Sequence, residues 1–212
     1  RYFLEMNKGF ELDVVRRLDE ITDGVLSRLE DPKRSGPWSR RGMVTGQVQS
    51  GKTANYNGLI CKALDSGYKL IVVLAGMHNS LRSQTQLRLD EAVVGRDTRR
   101  SQKFMPDGET HAMGVGLLPT LLPVPRRLVL HTLTSSKESG DFKRNVADTI
   151  GVDLGSDPVI LAVKKHGSVL QNLIAWARAM AGQRDESRRM TIGQVPLLLI
   201  DDEADVASIN TK

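Results

Sequence analysis

Five short apolar runs set the strongest limit on what this chain can fold into: Met43 to Thr45, Leu70 to Ala75, Leu128 to Leu133, Val159 to Val163 and Leu197 to Ile200. Most are rich in Val, Ile or Leu and do not alternate with polar residues, the pattern of strands covered on both faces. Helical spacing fills the intervals. Lys52 to Asp65 carries Ala54, Leu59, Ile60, Ala63 and Leu64, and Ser80 to Val93 carries Leu81, Leu89 and Ala92. Ser168 to Ala181 carries Val169, Leu170, Leu173, Ile174, Ala177 and Met180 behind a Ser168/Gln171 capping box. Strands alternating with helices predict an α/β fold, a mostly parallel sheet with helices on both faces.

Two regions depart from this rhythm. Leu12, Val15, Leu18, Ile21, Val25 and Leu29 recur every three or four positions and predict an amphipathic N-terminal helix. Pro32, Gly36 and Pro37, mixed with Lys33, Arg34, Arg40 and Arg41, then predict a basic linker. The expected division is thus a helix and linker over 1–41 and an α/β lobe over 42–212. Within the lobe, Val94 to Arg127 holds four glycines and four prolines, among them Gly95, Pro106, Gly114 and Pro123, and is too long for an ordinary connection. An exposed, partly mobile insertion is expected there, with a second loop over Gly182 to Arg189.

Composition narrows the class. With 212 residues, 40% apolar and 26% charged, the chain can bury one substantial core. No apolar run approaches the roughly 18 residues that cross a bilayer. The single cysteine, Cys61, cannot form an internal disulfide, and His78, His111, His131 and His166 have no zinc-type spacing, so a cytoplasmic protein without a structural metal is expected. A net charge of +5 tolerates a polyanionic partner, while 4% aromatics disfavours a binder that stacks base after base. The chain starts at Arg1 and stops at Lys212, soon after an acidic cluster, and reads as part of a longer protein.

Two stretches carry chemistry. Gly46-Gln47-Val48-Gln49-Ser50-Gly51-Lys52-Thr53 matches the phosphate-binding loop G-x-x-x-x-G-K-[ST], which this composition would produce by chance in about one per cent of such chains. Gly46 and Gly51 let the backbone curl so that N–H groups meet phosphate oxygens, Lys52 reaches the β and γ phosphates, and Thr53 offers a hydroxyl to Mg²⁺. The second stretch is Leu197-Leu198-Leu199-Ile200-Asp201-Asp202-Glu203-Ala204-Asp205, a buried strand delivering carboxylates at its C-terminal end, where open α/β sheets bind their ligands. Asp202 is placed to hold Mg²⁺ through its water shell, and Glu203 to orient or deprotonate an attacking water. A nucleotide site formed by both stretches is expected, with ATP and Mg²⁺ as cofactors.

Together, Gly46 to Thr53 and Asp202-Glu203-Ala204-Asp205 resemble the first RecA-like lobe of superfamily II helicases of the DEAD/DEAH type. The further text Thr53-Ala54-Asn55, Leu74-Ala75-Gly76, Leu81-Arg82-Ser83-Gln84-Thr85-Gln86 and Ile200-Asp201-Asp202-Glu203-Ala204-Asp205 is similar to the bacterial Z-one-domain family, proteins often labelled endonucleases and associated with restriction and phage-defence gene sets. The resemblance spans about Gly42 to Lys212. It implies an ATP hydrolase that moves on nucleic acid, DNA above all, with a second RecA-like lobe in the same longer chain and other defence proteins as partners. It also implies that the segment from Gly76 to Arg88 contacts the nucleic-acid backbone.

Asn79, Arg82, Gln84 and Arg88 supply donors suited to phosphates, and Lys164, Lys165 and His166 could serve likewise, as could Arg96, Arg99, Arg100 and Lys103. An equally simple reading makes these a solvated helix face and solubilising loops. Without a second lobe the chain lacks an arginine finger, worth roughly 10³ to 10⁵ in rate, so it should bind ATP better than it hydrolyses it. Two other classes remain: a nucleotide-dependent switch or scaffold that never translocates, and a metal nuclease built on Asp201, Asp202, Glu203 and Asp205.

Overall fold

The computed structural model describes residues 8–45, 51–100, 111–118, 130–152, 154, 157–180, 183–184 and 190–204. The chain divides into two compact units, Arg1–Tyr68 and Lys69–Lys212. The helix that follows Lys52 therefore groups with the leading helix.

In the first unit, α1 (Leu12–Leu26) packs against α2 (Lys52–Ser66). The predicted apolar stripe of α1 is only partly the buried one. Val15 and Thr22 point inward, whereas Leu12 is 48% and Ile21 43% exposed. The reason lies in α2: Gly58 faces Thr22, and a Cβ there would stand 3.3 Å from Thr22 Cγ2, so the helices meet along the Val15–Thr22 line. The Thr22 hydroxyl donates to the carbonyls of Leu18 and Asp19, which removes the cost of burying it. Lys62 of α2 ties the pair with Asp19 at 2.7 Å and Asp23 at 2.6 Å. In the linker, Arg34 and Arg40 both pair with Glu30, and Trp38 meets Tyr68 edge-on, so its positive charges are partly neutralised. Met43 to Thr45, predicted as a strand, is not one. It makes no ladder pairing, and Met43 is 86% and Val44 54% exposed. An apolar run becomes a strand only when a neighbour takes its backbone hydrogen bonds.

The second unit is α/β. Its main sheet is parallel throughout, with strand order β2-β3-β1-β6, formed by β1 (Leu70–Leu74), β2 (His131–Thr132), β3 (Val159–Val163) and β6 (Leu197–Asp201). Between them lie α3 (Asn79–Leu89), α4 (Arg144–Ile150), α5 (Gly167–Met180) and a small antiparallel pair, β4 (Gln183–Arg184) with β5 (Met190–Thr191). β4 falls in the stretch read as loop and β5 directly after it, and α4 was not foreseen. The remaining strands and helices stand within a few residues of their predicted places, although only two residues of the predicted 128–133 strand are paired and Leu128 lies outside the described residues.

Leu70 and Val72 of β1 and Val159, Leu161 and Val163 of β3 form one core layer with Phe142, Ala147, Leu154 and Trp176, capped by partly buried Val169, Leu170 and Leu173 of α5. Phe142 and Trp176 meet edge to face at 5.6 Å. On the opposite face Ile71, Val73, Ile160 and Ala162 are fully buried as well, the double coverage that their unbroken apolar text predicted. β6 breaks that expectation. Leu198 is buried but Leu197 is 45% and Leu199 53% exposed, so one face of this strand is left open among the described residues.

α3 buries a polar face. Arg82, Ser83, Thr85 and Gln86 are all buried, and after Leu89 the helix widens into a single π-helical turn, Asp90–Val94, ending at left-handed Gly95. A chain of hydrogen bonds explains how such a face can be buried. The Ala162 amide donates to Thr134 Oγ1, which donates to Gln86 Oε1; Gln86 Nε2 donates to Asp90 Oδ1; Thr98 Oγ1 donates to Asp90 Oδ2 at 2.6 Å; and the Ser136 amide donates to Thr98 Oγ1. These bonds offset part of the cost of burying the polar face. The network also draws in the start of the predicted insertion: Arg96 and Thr98 are buried, and Arg96 bridges to Ala112, so this part is not the exposed loop foreseen. Most of the insertion, including Lys103, lies outside the described residues.

Burial pushes the Asp90 carboxyl up to about 6. The folded state then holds its proton more tightly than an unfolded chain, where an aspartate titrates near 3.9, so between about pH 4 and 6 the folded state binds more protons and stability falls as pH rises. This contribution is full below pH 4 and lost above 6. Asp90→Asn is expected to remove that falling limb from a plot of unfolding free energy against pH, and a side-chain ¹³C titration of Asp90 should show its midpoint near 6.

Candidate functional site

Gly46, Gln47, Val48, Gln49 and Ser50 lie outside the described residues, as does Asp205. The rest of the phosphate-loop motif is well defined. Gly51 sits in the left-handed region at φ 76°, ψ 20°, with open space where a Cβ would stand, and α2 begins at the next residue, Lys52, where the motif predicts a helix start. A side chain at Gly51 would strain the turn that aims the helix at its approach. The N-cap is Gly51, which has no side chain to cap this N-terminus. Lys52 is exposed and Thr53 half-buried.

In the second unit the acidic residues stand at the C-terminal end of β6, as read from the sequence. β6 lies beside β1 in register, Leu74 opposite Asp201, and the Asp202 amide donates to the Leu74 carbonyl. The chain then turns sharply. Glu203 adopts φ 56°, an uncommon conformation for a residue with a side chain, at a cost of about 1–3 kcal/mol that surrounding contacts must offset. Three contacts are visible. The Glu203 amide donates to Asp202 Oδ1, its carbonyl accepts from Lys165 Nζ at 2.8 Å, and Lys165 also pairs with Asp201 at 2.6 Å. Gly76, just past β1, makes room: a Cβ there would stand 2.8 Å from Leu81 Cδ1 and 3.4 Å from Glu203 Oε2. Neither Gly76 nor Lys165 was singled out for this purpose in the sequence. The signal available was a glycine directly after a strand and a lysine pair directly after another.

Asp202 is half-exposed, with Oδ1 on its neighbour's amide. No group of three or more His, Cys, Asp or Glu suited to a metal occurs among the described residues. A lone carboxylate fits Mg²⁺ held jointly with phosphate oxygens and water, since that ion keeps several waters, but not a cation caged by protein ligands alone. Thr53 and Asp202 belong to different compact units, and each is described within its own.

The nucleic-acid candidates separate into two sets. Arg82 is fully buried, its guanidinium donating to the carbonyls of Ser135, Lys137 and Gly140, and so is corrected from a phosphate contact to a clamp on the loop after β2. Lys165, whose side chain is 7% exposed, is likewise engaged within the fold. Long polar side chains can serve either purpose, and sequence spacing alone did not distinguish them. Asn79, Gln84, Arg88 and His166 are exposed; Lys164 is half-buried and donates to Asn79 Oδ1 at 2.9 Å, and His166 Nδ1 meets Ser168 Oγ at 2.9 Å. Arg99 and Arg100 are also exposed. Because β1 and β3 are adjacent and parallel, Asn79, Lys164 and His166 share the rim on which Asp202 and Glu203 stand.

Compared with family models, with curated proteins and with solved structures, the chain matches none.

Proposed function

We propose that this chain is the ATP-binding, RecA-like lobe of a helicase-like, nucleic-acid-dependent ATPase in a bacterial defence or restriction-type system. The observation that carries the reading is the left-handed Gly51 leading directly into α2 at Lys52-Thr53, within a full phosphate-loop motif. The acidic turn after β6 supports it, because a parallel strand presents Asp202 and Glu203 at its C-terminal end. Magnesium bound with ATP would neutralise charge on the phosphates. In the first unit Lys52 would hold the β and γ phosphates and Thr53 a hydrated ion; in the second, Asp202 offers a carboxylate suited to such an ion and Glu203 one suited to an attacking water. Asn79, Lys164 and the exposed Arg88 offer donors to a sugar–phosphate backbone without reading bases.

Glu203→Gln tests the catalytic part. It keeps size and hydrogen bonding but cannot accept a proton, and removal of a positioned general base costs about 10²–10⁴ in rate. Nucleotide affinity is expected to stay within about threefold of wild type while turnover in the full-length protein, with DNA or RNA present, falls at least about a hundredfold. Undiminished turnover in that variant rejects the assignment. Turnover that no nucleic acid stimulates favours a nucleotide switch over a translocase.

A further inference from the structure

Lys165 follows β3, yet its ammonium partners belong to the end of β6, two strands away across β1. Neighbouring strands lie about 4.8 Å apart, so the side chain must reach over the end of β1 to make these contacts. The small residues Ala75 and Gly76 follow β1 directly, and the Gly76 carbonyl accepts from the Lys165 amide at 2.8 Å. One residue thus joins the ends of three strands: its backbone holds the end of β1, and its side chain holds Asp201 and the Glu203 carbonyl. The next residue back, Lys164, reaches the other way to Asn79 at the start of α3.

We infer that Lys165 is a positioning residue: it fixes the left-handed turn that aims Glu203, and ties that turn to the Lys164–His166 loop on the same rim. The inference rests on the ATPase reading for its consequence in turnover, but its structural part stands apart from it. Without Lys165 the Glu203 carbonyl loses its donor and Asp201 its counter-ion, while the β6 ladder, held by backbone bonds such as Asp202 to Leu74, remains. The carboxylates would still be present, only less well held. Lys165 touches neither the reacting phosphate nor the water in this assignment, so it acts through Glu203.

The test uses Lys165→Met, which keeps the stem, and Lys165→Arg, which keeps the charge and the donors. In nucleotide-free protein, hydrogen exchange at the Glu203 and Ala204 amides is expected to rise at least about tenfold in Lys165→Met, with Val73 and Leu161 unchanged, and to rise much less in Lys165→Arg. In full-length protein, Lys165→Met should lower kcat for ATP at least about tenfold with KM within about threefold, and Lys165→Arg should recover most of the loss. Unchanged exchange at 203 and 204 overturns the inference whatever the enzymology. Faster exchange with kcat intact overturns the positioning role, provided Glu203→Gln abolishes turnover in the same preparation. If wild-type protein turns over no ATP, the functional reading fails and the exchange data alone decide whether Lys165 holds the turn. Should Lys165→Met not fold, Asp201→Asn, which keeps an acceptor but removes the charge, must itself raise exchange at the same two amides above wild type, and exchange equal to wild type overturns the inference.

Discussion

Lys52→Ala is expected to raise the Kd for Mg·ATP at least about a hundredfold, with little change in melting temperature. An ammonium about 4 Å from a phosphate contributes roughly 4 kcal/mol at an effective dielectric near 20, before desolvation, and a hundredfold corresponds to about 2.7 kcal/mol. Stability should be nearly untouched because Lys52 is exposed and sits at the first position of α2, and surface changes of this kind stay within about 0.5 kcal/mol. Calorimetric titration of ATP with Mg²⁺ into both proteins, alongside thermal melts, separates the two effects. Equal affinity would remove the phosphate role from Lys52 and with it the ATP reading.

Arg82→Ala should have the largest effect on stability of any single change considered, about 3–5 kcal/mol, seen as a lower urea midpoint at unchanged slope. The guanidinium is fully buried and donates to three backbone carbonyls of the 135–140 loop. Desolvation lowers its affinity for the proton, and the nearby carboxylates of Asp141 and Asp90 oppose that shift. Removing it leaves the three loop carbonyls without this donor and takes a positive charge away from Asp90 and Asp141. Arg82→Lys should recover little, because one ammonium cannot reproduce a planar fork spread over three carbonyls. A variant that melted like wild type but lost affinity for DNA would restore Arg82 to the phosphate contacts from which its burial has removed it.

Legibility in the sequence followed the physics of each element. The strands at Leu70–Leu74 and Val159–Val163 could be read because a strand buried on both faces admits almost nothing but Val, Ile, Leu and Ala, and Leu197–Asp201 carries similar apolar text although one of its faces is open among the described residues. The start of α2 could be read because Gly51-Lys52-Thr53 leaves the backbone few alternatives. Met43 to Thr45 misled because an apolar run records a tendency to pair and not the presence of a partner. Arg82 misled for the converse reason: the buried polar face it shares with Ser83 and Gln86 carries no hydrophobic period, and the partners of that face at Thr134, Ser135 and Ser136 are some fifty residues away in the chain. The acidic turn was legible as composition but not as conformation. Nothing local in Asp201-Asp202-Glu203 announces that Glu203 turns left-handed, since the Lys165 contact that accompanies it comes from another strand.

The order of the sheet bears on how the protein is made. β1 leaves the ribosome before either of its ladder partners, β3 and β6, both of which are encoded well downstream of it. Until then a nascent chain displays Leu70-Ile71-Val72-Val73-Leu74 with neither edge satisfied, a sticky five-residue template of the kind that recruits chaperones or aggregates. Synthesis that pauses between Leu74 and Val159 would prolong that exposure, so yield in a heterologous host should depend more on chaperone supply and growth temperature than on the stability of the finished fold.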